Sequence, residues 1–356
     1  MTTQPLRVAV LGAGTMGLVC LQALQRTPAF LAVAVADPSP IARRNAQSVV
    51  PTLKTYFSPT SLISAESLDS LDIDMVVVMT PPANHARFVC AALAAGRHTL
   101  CEKPMAISVQ EVRQMVTAAT DAPKSTAIVG HQLRYNIARQ WVRSKLAEGI
   151  VGEPRHVSVV QHFPNLFVSN WTWWSSLEQG GGLLYEYGSH LIDILQWWFG
   201  PAMGASGTTR TVVDNRFDVD GILQDVTSDD LSLLHLQWSS GLVADIQLSG
   251  VASLPRRDIA IHGDEGSIVL DRFDQVAIVS RRTGLEEVFD LREPEPSLIG
   301  DPNDSYTQPH RRMLEDLADR IRHGSTPELA CSFVEGAQVI ELINQVRPIA
   351  PVGEST

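Results

Sequence analysis

Short apolar runs alternate with amphipathic stretches through the first third of the chain. The runs have the length of buried strands, and the stretches between them have the length of helices. The runs lie at 7–11, 31–36, 75–79, 98–101 and 127–129. Apolar strands that alternate with helices indicate a parallel sheet covered on both faces. We therefore predict an α/β fold that begins with a doubly wound domain over residues 1–130.

The pattern changes after about residue 130, where apolar and polar residues begin to alternate. Such alternation is typical of an antiparallel sheet with one packed face and one free face. The predicted strands lie at 155–161, 230–238, 242–249, 258–262, 267–271 and 275–280. The predicted helices lie at about 137–149, 183–199, 309–323 and 333–346. An α+β domain over residues 131–356, with a mostly antiparallel open sheet, is expected.

Capping residues mark the ends of several predicted helices in the first domain. Ser39, followed by Pro40, predicts an N-cap and a first helical residue. An S-x-x-E capping box begins at Ser108 and predicts another helix start. Asn84 is predicted to cap a third helix, which Gly96 ends.

A glycine-rich loop, G-A-G-T-M-G, joins the first strand to the first helix. In a dinucleotide-binding loop, Gly14 would let the backbone approach a pyrophosphate, and Gly17 would let helix and strand pack closely. The free N–H groups of the helix N-terminus would face the phosphates. An ordinary structural turn is the alternative interpretation. The predicted cofactor contacts in this loop are Gly12, Gly14, Thr15 and Met16.

Asp37 ends the second predicted strand, where its carboxylate can accept hydrogen bonds from the ribose hydroxyls of a dinucleotide. A negative charge there would repel a 2′-phosphate, which favours NAD over NADP. Arg43 and Arg44 follow closely and leave NADP open as the second choice.

The stretch T-P-P-A-N-H follows the third predicted strand. Ligands bind at the carboxyl ends of the strands in open α/β sheets, so two prolines there would form a rigid wall beside the cofactor. A plain connecting loop is the alternative. The candidate cofactor contacts are Thr80, Pro81, Asn84 and His85.

The stretch T-L-C-E-K-P-M places charged residues at the end of another buried strand. Charges at such a position are costly unless they are paired or used. Pro104 holds Lys103 out of the helical region and directs it, and the Lys-Pro bond is a candidate cis peptide. Lys103 would stabilise an oxyanion as hydride moves, and Glu102 would lie nearer the cofactor ribose. A structural ion pair or a surface lysine is the alternative.

The apolar helix predicted over 183–199 carries three polar residues at spacings of four and three. Glu186, His190 and Asp193 would therefore share one helix face. A carboxylate one turn from an imidazole raises its basicity, which makes His190 a candidate general base. A solvated polar stripe or a structural histidine is the alternative.

An aromatic segment over residues 162–176 precedes a glycine triplet. Aromatic faces stack on the C–H faces of sugars while amides and imidazoles bind hydroxyls, which suits a polyol. Tryptophans that merely pack the domains together are the alternative. The candidate substrate contacts are His162, Asn165, Trp171 and Trp173.

Composition excludes several classes of function. The formal net charge of −11 argues against non-specific binding of nucleic acid or anionic membranes. No apolar stretch reaches the length of a membrane span, and no secretory signal opens the sequence. The cysteines form no C-x-x-C pair and are expected to be buried thiols in a reducing compartment, so a cytoplasmic location is expected. No metal-binding signature is present, and we predict no metal.

The motifs together resemble one enzyme family. E-K-P lies about ninety residues after the glycine loop, and the second domain carries G-G-G-L-L-Y-E-Y-G-S-H-L-I-D over residues 180–193. The stretch I-H-G-D-E-G-S-I at 261–268 is similar to a family hairpin. The chain thus resembles the glucose–fructose oxidoreductase / inositol 2-dehydrogenase (Gfo/Idh/MocA) family over almost its whole length.

The resemblance implies that the domain over residues 1–130 is an NAD(P)-binding Rossmann domain. It also implies an NAD(P)-dependent oxidoreductase that acts on a carbinol or carbonyl carbon of a sugar, cyclitol or related polyol. It implies Lys103 as the catalytic lysine, with His190 and Asp193 as the motif histidine and aspartate. Glu186 stands where the family has aspartate, so one carboxylate is displaced by a methylene. The resemblance also implies homo-oligomers, dimers or tetramers, formed through the open sheet.

Two other functions stay open on the sequence alone. One is an NAD-dependent glycosidase that oxidises its substrate only transiently. The other is a non-catalytic NAD(P)-sensing regulator, which would need neither Lys103 nor His190. The identity of the sugar or polyol and the physiological direction are not determined by the sequence.

Overall fold

The computed structural model describes residues 4–298, 306–324 and 329–347. Packing divides the chain into two compact units. The first comprises Met1–Tyr135 and Glu295–Ala337, and the second comprises Asn136–Pro294 and Gln338–Thr356. The sequence predicts one boundary near residue 130, whereas the first unit has a second segment late in the chain.

Strands and helices follow one another in an order close to the predicted one. The strands are β1 (Leu6–Leu11), β2 (Phe30–Ala36), β3 (Lys54–Tyr56), β4 (Met75–Val78), β5 (His98–Glu102), β6 (Ala127–Gly130), β7 (Pro154–His162), β8 (Gly204–Arg210), β9 (Asn215–Phe217), β10 (Leu223–Asp225), β11 (Leu231–Gln237), β12 (Val243–Ser249), β13 (Arg256–Gly263), β14 (Gly266–Leu270), β15 (Gln275–Ser280), β16 (Glu286–Asp290) and β17 (Cys331–Ser332). The helices are α1 (Thr15–Gln25), α2 (Pro40–Val49), α3 (Pro59–Leu62), α4 (Ala65–Ser70), α5 (His85–Ala94), α6 (Val109–Asp121), α7 (Ile137–Ala147), α8 (Ser189–Phe199), α9 (Thr307–His323) and α10 (Phe333–Val346). None of the helices in the described ranges is both long and apolar enough to span a bilayer.

The first unit is built on a seven-stranded sheet with the order β17-β6-β5-β4-β1-β2-β3. Its neighbouring strands are parallel except at β17, which runs antiparallel to β6. Central strands β1 and β4 are apolar and almost completely buried, because helices cover both sheet faces. The strand order reverses at β1, and the crevice beside such a reversal is where α/β sheets bind ligands. The predicted Rossmann fold is confirmed.

Most of the predicted caps in the first unit are confirmed. The Ser39 hydroxyl accepts a hydrogen bond from the N–H of Ala42. The Ser108 hydroxyl accepts a hydrogen bond from the Glu111 N–H. Helix α5 ends just before Gly96, and Gly96 itself has a left-handed backbone conformation. The cap predicted at Asn84 is wrong as a side-chain cap. Asn84 makes no capping bond, because it ends a 3-10 turn that continues directly into α5.

An ion pair between a buried arginine and a partly exposed glutamate anchors the late segment of the first unit. Arg134, with a side chain only 2% exposed, holds Glu335 at 2.8 Å between Nη1 and Oε1. Glu335 also accepts the Ser332 N–H at 2.8 Å, in a capping arrangement at the start of α10. The pair therefore links β17 and the start of α10 to the turn after β6.

The second unit is built on an eight-stranded sheet with the order β16-β15-β14-β13-β7-β12-β11-β8. Neighbours are antiparallel except for β7 and β12, which are parallel. Side chains along β11 and β12 alternate between buried and exposed positions. The predicted mostly antiparallel sheet with one packed face is therefore confirmed, and β9 with β10 forms a separate two-stranded ribbon.

The apolar helix predicted over 183–199 is divided in two. Residues Leu184–Gly188 form a π-helical segment, and α8 begins at Ser189. The regular α-helix predicted there is wrong over its first residues, and because a π-helical turn is wider than an α-helical turn, Glu186 and His190 are not related by regular α-helical geometry. π-Helical segments are often found at functional sites.

Candidate active site

The glycine loop lies where β1 passes into α1. Gly12 has a φ of +99°, and a Cβ there would lie 2.5 Å from the carbonyl oxygen of Met79. A Cβ on Gly17 would collide with the carbonyl of Gly12. Gly14 is different, because it is exposed and a Cβ there would meet nothing within 4 Å. The loop thus combines two tightly packed glycines with one that leaves open space.

The N-terminus of α1 opens beside this space. Its N-cap is Gly14, which has no capping side chain, and the first turn holds no acidic residue. The first N–H groups are therefore available, and the helix dipole adds a partial positive charge. Thr15 is exposed and Met16 is half-buried at this end. The arrangement suits a phosphate group.

Asp37 braces the glycine loop from the end of β2. Its Oδ2 accepts a hydrogen bond from the Ala13 N–H, and its Oδ1 accepts one from the Ser39 N–H, both at 2.8 Å. A carboxylate has about four lone-pair positions, so acceptor capacity remains for hydroxyl groups. Arg43 lies close by, but its Nη1 donates to the carbonyl oxygens of Asp37 and Pro38.

We predict that Asp37→Asn weakens the preference for NAD over NADP by about tenfold. Two like charges near a protein surface repel by roughly 1–4 kcal/mol, and 1.4 kcal/mol is a tenfold change. Asparagine keeps an acceptor oxygen for the loop but removes the charge. The ratio of Kd values for NADPH and NADH, from fluorescence titration, measures the effect.

Asp74→Asn is the matched control for that substitution. Asp74 also accepts a backbone hydrogen bond, from the Arg7 N–H at 2.7 Å, but it lies at the amino ends of the strands. It should leave the cofactor ratio unchanged. An unchanged ratio of the Kd values for NADPH and NADH in Asp37→Asn would show that Asp37 does not select the cofactor.

The strand register brings the predicted first-unit residues to one sheet edge. Leu11 is paired with Val78, Val78 with Cys101, and Cys101 with Val129. The loops that follow these residues therefore lie side by side at the carboxyl ends of the strands. They are the glycine loop, the Thr80 loop that follows β4, and the Lys103 loop that follows β5.

The Thr80 loop, residues 79–84, borders the glycine loop. The hydroxyl oxygen of Thr80 is buried and has no partner among the described residues. Pro81 and Asn84 are half-buried beside it. His85 is completely buried at the start of α5, with Nε2 2.7 Å from the Thr80 carbonyl oxygen and Nδ1 3.0 Å from the Pro104 carbonyl oxygen. The nitrogens that a cofactor contact from His85 would use are thus directed at protein carbonyls.

The Lys103 loop, residues 102–106, begins with the two charged residues of the E-K-P motif. Glu102 is 5% exposed, and a Cβ on Gly130 would lie 2.7 Å from its Oε2, so that glycine makes room for the carboxylate. Burial, together with the Glu102 charge, raises the pKa of the Cys20 thiol in α1. Lys103 is half-buried, and its bond to Pro104 is cis, as the sequence allowed.

The three polar residues predicted to act in the second unit are buried. Glu186, His190 and Asp193 are each less than 5% exposed. Glu186 belongs to the π-helical segment, while His190 and Asp193 belong to the first turns of α8. The solvated polar stripe considered from the sequence is wrong, because the face that carries them is buried. Buried polar groups of this kind are maintained by specific partners or by function.

The glycine triplet lets the aromatic segment pack against the start of the π-helical segment. A Cβ on Gly181 would collide with the Trp174 carbonyl, and one on Gly182 would collide with Oδ1 of Asp229. Tyr187 stacks on Phe163 with ring centroids 3.9 Å apart, and its ring also contacts Trp174 at 5.7 Å. The triplet is therefore a close-packing site as well as a turn.

The four residues predicted to contact substrate differ in their exposure to solvent. Asn165 is exposed, and Trp173 is half-buried beside Trp174. His162 is half-buried at the end of β7, with Nε2 3.4 Å from Nε2 of Gln247. The indole N–H of Trp171 donates to the Asp225 carbonyl at 2.9 Å, so that tryptophan is held by the β9–β10 ribbon.

Sequence reasoning missed Asp229, which organises the segment after the glycine triplet. Asp229 is 2% exposed, and its Oδ2 accepts hydrogen bonds from the Leu184 N–H and the Ser232 hydroxyl. Its Oδ1 lies 3.5 Å from Nη1 of Arg347. The available signal was the acidic pair D-D directly before the apolar strand β11, a costly position for charge.

Comparison with known proteins identifies the family. Residues 6–131 match the model described as oxidoreductase family, NAD-binding Rossmann fold, and residues 139–269 match the GFO/IDH/MocA C-terminal domain. The chain belongs to the Gfo/Idh/MocA oxidoreductase family. Its first unit is an NAD-binding Rossmann domain, and the resemblance inferred from the motifs is confirmed.

Individual relatives cover most or nearly all of the chain. An uncharacterized oxidoreductase of Synechocystis sp. is 30% identical over 276 residues, which are 76% of this chain and 73% of the relative. Inositol 2-dehydrogenase of Rhizobium meliloti is 26% identical over 352 residues, which are 97% of each. The structure of levoglucosan dehydrogenase with NADH and levoglucosan matches with a TM-score of 0.81 at 22% identity, over 96% of each chain.

The residues at the sheet edge fit a dinucleotide. The open space above Gly14 faces the uncapped start of α1, which suits a pyrophosphate. Asp37 retains acceptor capacity for ribose hydroxyls. The buried Thr80 hydroxyl has no described protein partner, so it is available to a bound group. These features agree with the assignment of an NAD-binding domain.

Proposed function

We propose that this oxidoreductase transfers a hydride between NAD and a carbinol or carbonyl carbon of a sugar, cyclitol or related polyol. The observation that carries the proposal is the position of Lys103. Its loop follows β5 at the sheet edge where β1 and β4 end in the dinucleotide-binding loops. Lys103 is half-buried at this edge, and the carboxyl ends of the strands are where open α/β sheets bind ligands.

Lys103 is proposed to stabilise the oxygen of the reacting carbon. When bound, the nicotinamide supplies the hydride acceptor for oxidation or the hydride donor for reduction. The ammonium group of Lys103 donates a hydrogen bond to the substrate hydroxyl and offsets the negative charge that develops on its oxygen. Preorganised donors of this kind are commonly worth about 10²–10³ in kcat.

His190 is proposed to exchange the hydroxyl proton with the substrate. An imidazole titrates near neutral pH, which suits a general base for oxidation and a general acid for reduction. Glu186 is proposed to orient the imidazole from the preceding turn, and Asp193 to bind a further substrate hydroxyl. All three are buried polar residues, as such roles require.

A polyhydroxylated substrate is supported by the aromatic segment and by the relatives. His162, Asn165, Trp171 and Trp173 combine hydroxyl-binding groups with flat apolar faces. Inositol 2-dehydrogenase and levoglucosan dehydrogenase are named for a cyclitol and an anhydrosugar. We propose a substrate of this broad class for the present chain.

A homo-oligomer in a reducing compartment completes the proposal. The exposed face of the second sheet includes apolar side chains, such as Leu233 at 46% and Val288 at 62% exposure, which suit contact with another copy. The four cysteines are free thiols, and three of them are buried, as expected in the cytoplasm.

Absorbance at 340 nm tests the proposed reaction directly. Purified protein is mixed with NAD or NADP and a panel of sugars, cyclitols and anhydrosugars, and the keto forms are tested with NADH. We expect NADH to form with at least one polyol, faster with NAD than with NADP. Lack of turnover by protein that binds NADH would contradict the proposal, as would release of free sugar from a glycoside without net NADH.

A further inference from the structure

His85 connects two loops of the first unit at the carboxyl edge of its sheet. The imidazole is 0% exposed at the first residue of α5. Its Nε2 lies 2.7 Å from the carbonyl oxygen of Thr80, and its Nδ1 lies 3.0 Å from the carbonyl oxygen of Pro104. Both distances fall within the range of N–H···O hydrogen bonds. One ring therefore spans the Thr80 loop and the Lys103 loop.

Both carbonyl groups belong to loop backbone that lies beyond the hydrogen-bonded strands of the sheet. Thr80 lies two residues beyond the end of β4 at Val78, and Pro104 lies two residues beyond the end of β5 at Glu102. Pro104 has no N–H of its own. In the same loop, the Cys101 thiol approaches the Met105 carbonyl oxygen at 3.6 Å, which is a weak contact. The His85 imidazole is thus a polar link between these two loops, and we call it the histidine clamp.

The ring is also electrostatically coupled to Lys103. Burial, and to a smaller extent the Lys103 charge, lowers the pKa of His85 to about 4, although hydrogen bonds with neighbouring backbone groups oppose that shift. His85 is therefore neutral near pH 7 and does not repel the lysine. A neutral imidazole has one N–H, so it donates to one of the two carbonyl groups at a time.

We propose that His85 is a positioning residue that holds the Lys103 loop at a fixed distance from the Thr80 loop. It acts through the backbone carbonyl next to Lys103 and does not touch substrate. The Thr80 loop borders the dinucleotide-binding glycines, so the clamp sets where the ammonium group lies relative to the cofactor. The catalytic part of this inference rests on the proposed role of Lys103.

His85→Phe tests the clamp, because phenylalanine is similar in size and lacks both nitrogens. A misplacement of about 1 Å at a reacting group costs roughly 10²-fold in rate. We expect kcat to fall about 100-fold, with the KM for the polyol and the Kd for NADH changed less than about threefold. His85→Gln keeps an amide that can reach one carbonyl group, and should recover about tenfold of the lost kcat.

His310→Phe is the matched control for that variant. His310 is also 0% exposed in the first unit, and neither of its ring nitrogens has a described partner. It makes the same change of side chain at a histidine with no described hydrogen bond to either loop. We expect its kcat, corrected for folded fraction, to stay within threefold of wild type. An equal loss of kcat in both variants would show a general packing effect and overturn the clamp.

A spectroscopic measurement separates this inference from the proposed reaction. The chain has four lysines, namely Lys54, Lys103, Lys124 and Lys145. Reductive ¹³C-methylation of the lysines should therefore give few methyl resonances. The resonance that is missing from the spectrum of Lys103→Arg belongs to Lys103. We expect His85→Phe to shift and broaden the Lys103 methyl resonance while the other three stay in place. An unmoved Lys103 resonance would overturn the inference even in an active enzyme, and a moved one supports it even if no polyol is turned over.

Discussion

Lys103→Ala is expected to lower kcat by about 10³-fold while NADH binding stays within a few-fold of wild type. The variant removes the donor that we propose to stabilise the developing oxyanion, a contribution of about 10²–10³ in comparable sites. It leaves the dinucleotide loop intact, since the glycine loop and Asp37 belong to other strands. Single-turnover kinetics at saturating NAD and polyol measure the hydride step directly.

Lys124→Ala is the control for this substitution. Lys124 is an exposed lysine in the loop after α6, and its removal makes the same change of charge. It should have wild-type kcat and KM. A Lys103→Ala enzyme within tenfold of wild type would exclude Lys103 as the stabilising group, and the catalytic assignment would then move to the second-unit residues.

The first unit was predictable because its signals are local. A continuous apolar run, a glycine loop and an acidic residue at the next strand end each follow from the geometry of a few neighbouring residues. Ser39 and Ser108 act within their own helix turns in the same way. Such features do not depend on residues far along the chain, and the structure contains them where the sequence predicts them.

The late return of the chain to the first sheet carries no comparable signal. Strand β17 has two residues, too few to show a period, and it pairs with Val129 and Ile128 about two hundred residues earlier. The Arg134–Glu335 pair is equally distant in sequence. Pairing of this range is decided by the assembled sheet, so the sequence predicted a boundary near residue 130 and no return.

The candidate site was predictable as a set of residues but not as an arrangement. Glu186 and His190 are polar residues in an apolar helix, which the sequence shows, but the π-helical turn between them depends on tertiary packing. The contact of Gly182 with Asp229 is of the same kind. His85 was selected for its position after a strand, and only the structure shows the two carbonyl groups that its ring contacts.

Gly12→Ala is expected to destabilise the first unit by at least about 4 kcal/mol and to abolish NADH binding. A left-handed φ costs an alanine roughly 1–2 kcal/mol, and steric overlap adds more. Gly12 has a φ of +99°, and its new Cβ would lie 2.5 Å from the carbonyl oxygen of Met79 and 2.9 Å from the Thr80 nitrogen. Because both contacts are with backbone atoms, a change of side-chain rotamer cannot relieve the overlap. Urea dependence of hydrogen exchange in β1 and β4 measures the loss within this unit.

Alanine variants of two other glycines separate the effects of backbone conformation, steric overlap and lost space for the cofactor. Gly96 has a φ of +71° but open space around it, so Gly96→Ala should cost only about 1 kcal/mol and leave NADH binding intact. Gly14 has a φ of −68° and open space, so Gly14→Ala should fold normally yet weaken NADH binding by tenfold or more. In that variant the methyl group occupies the space that a pyrophosphate needs. Wild-type affinity in Gly14→Ala would mean that phosphates do not approach this loop, whereas loss in Gly12→Ala alone would assign the loop a purely structural role.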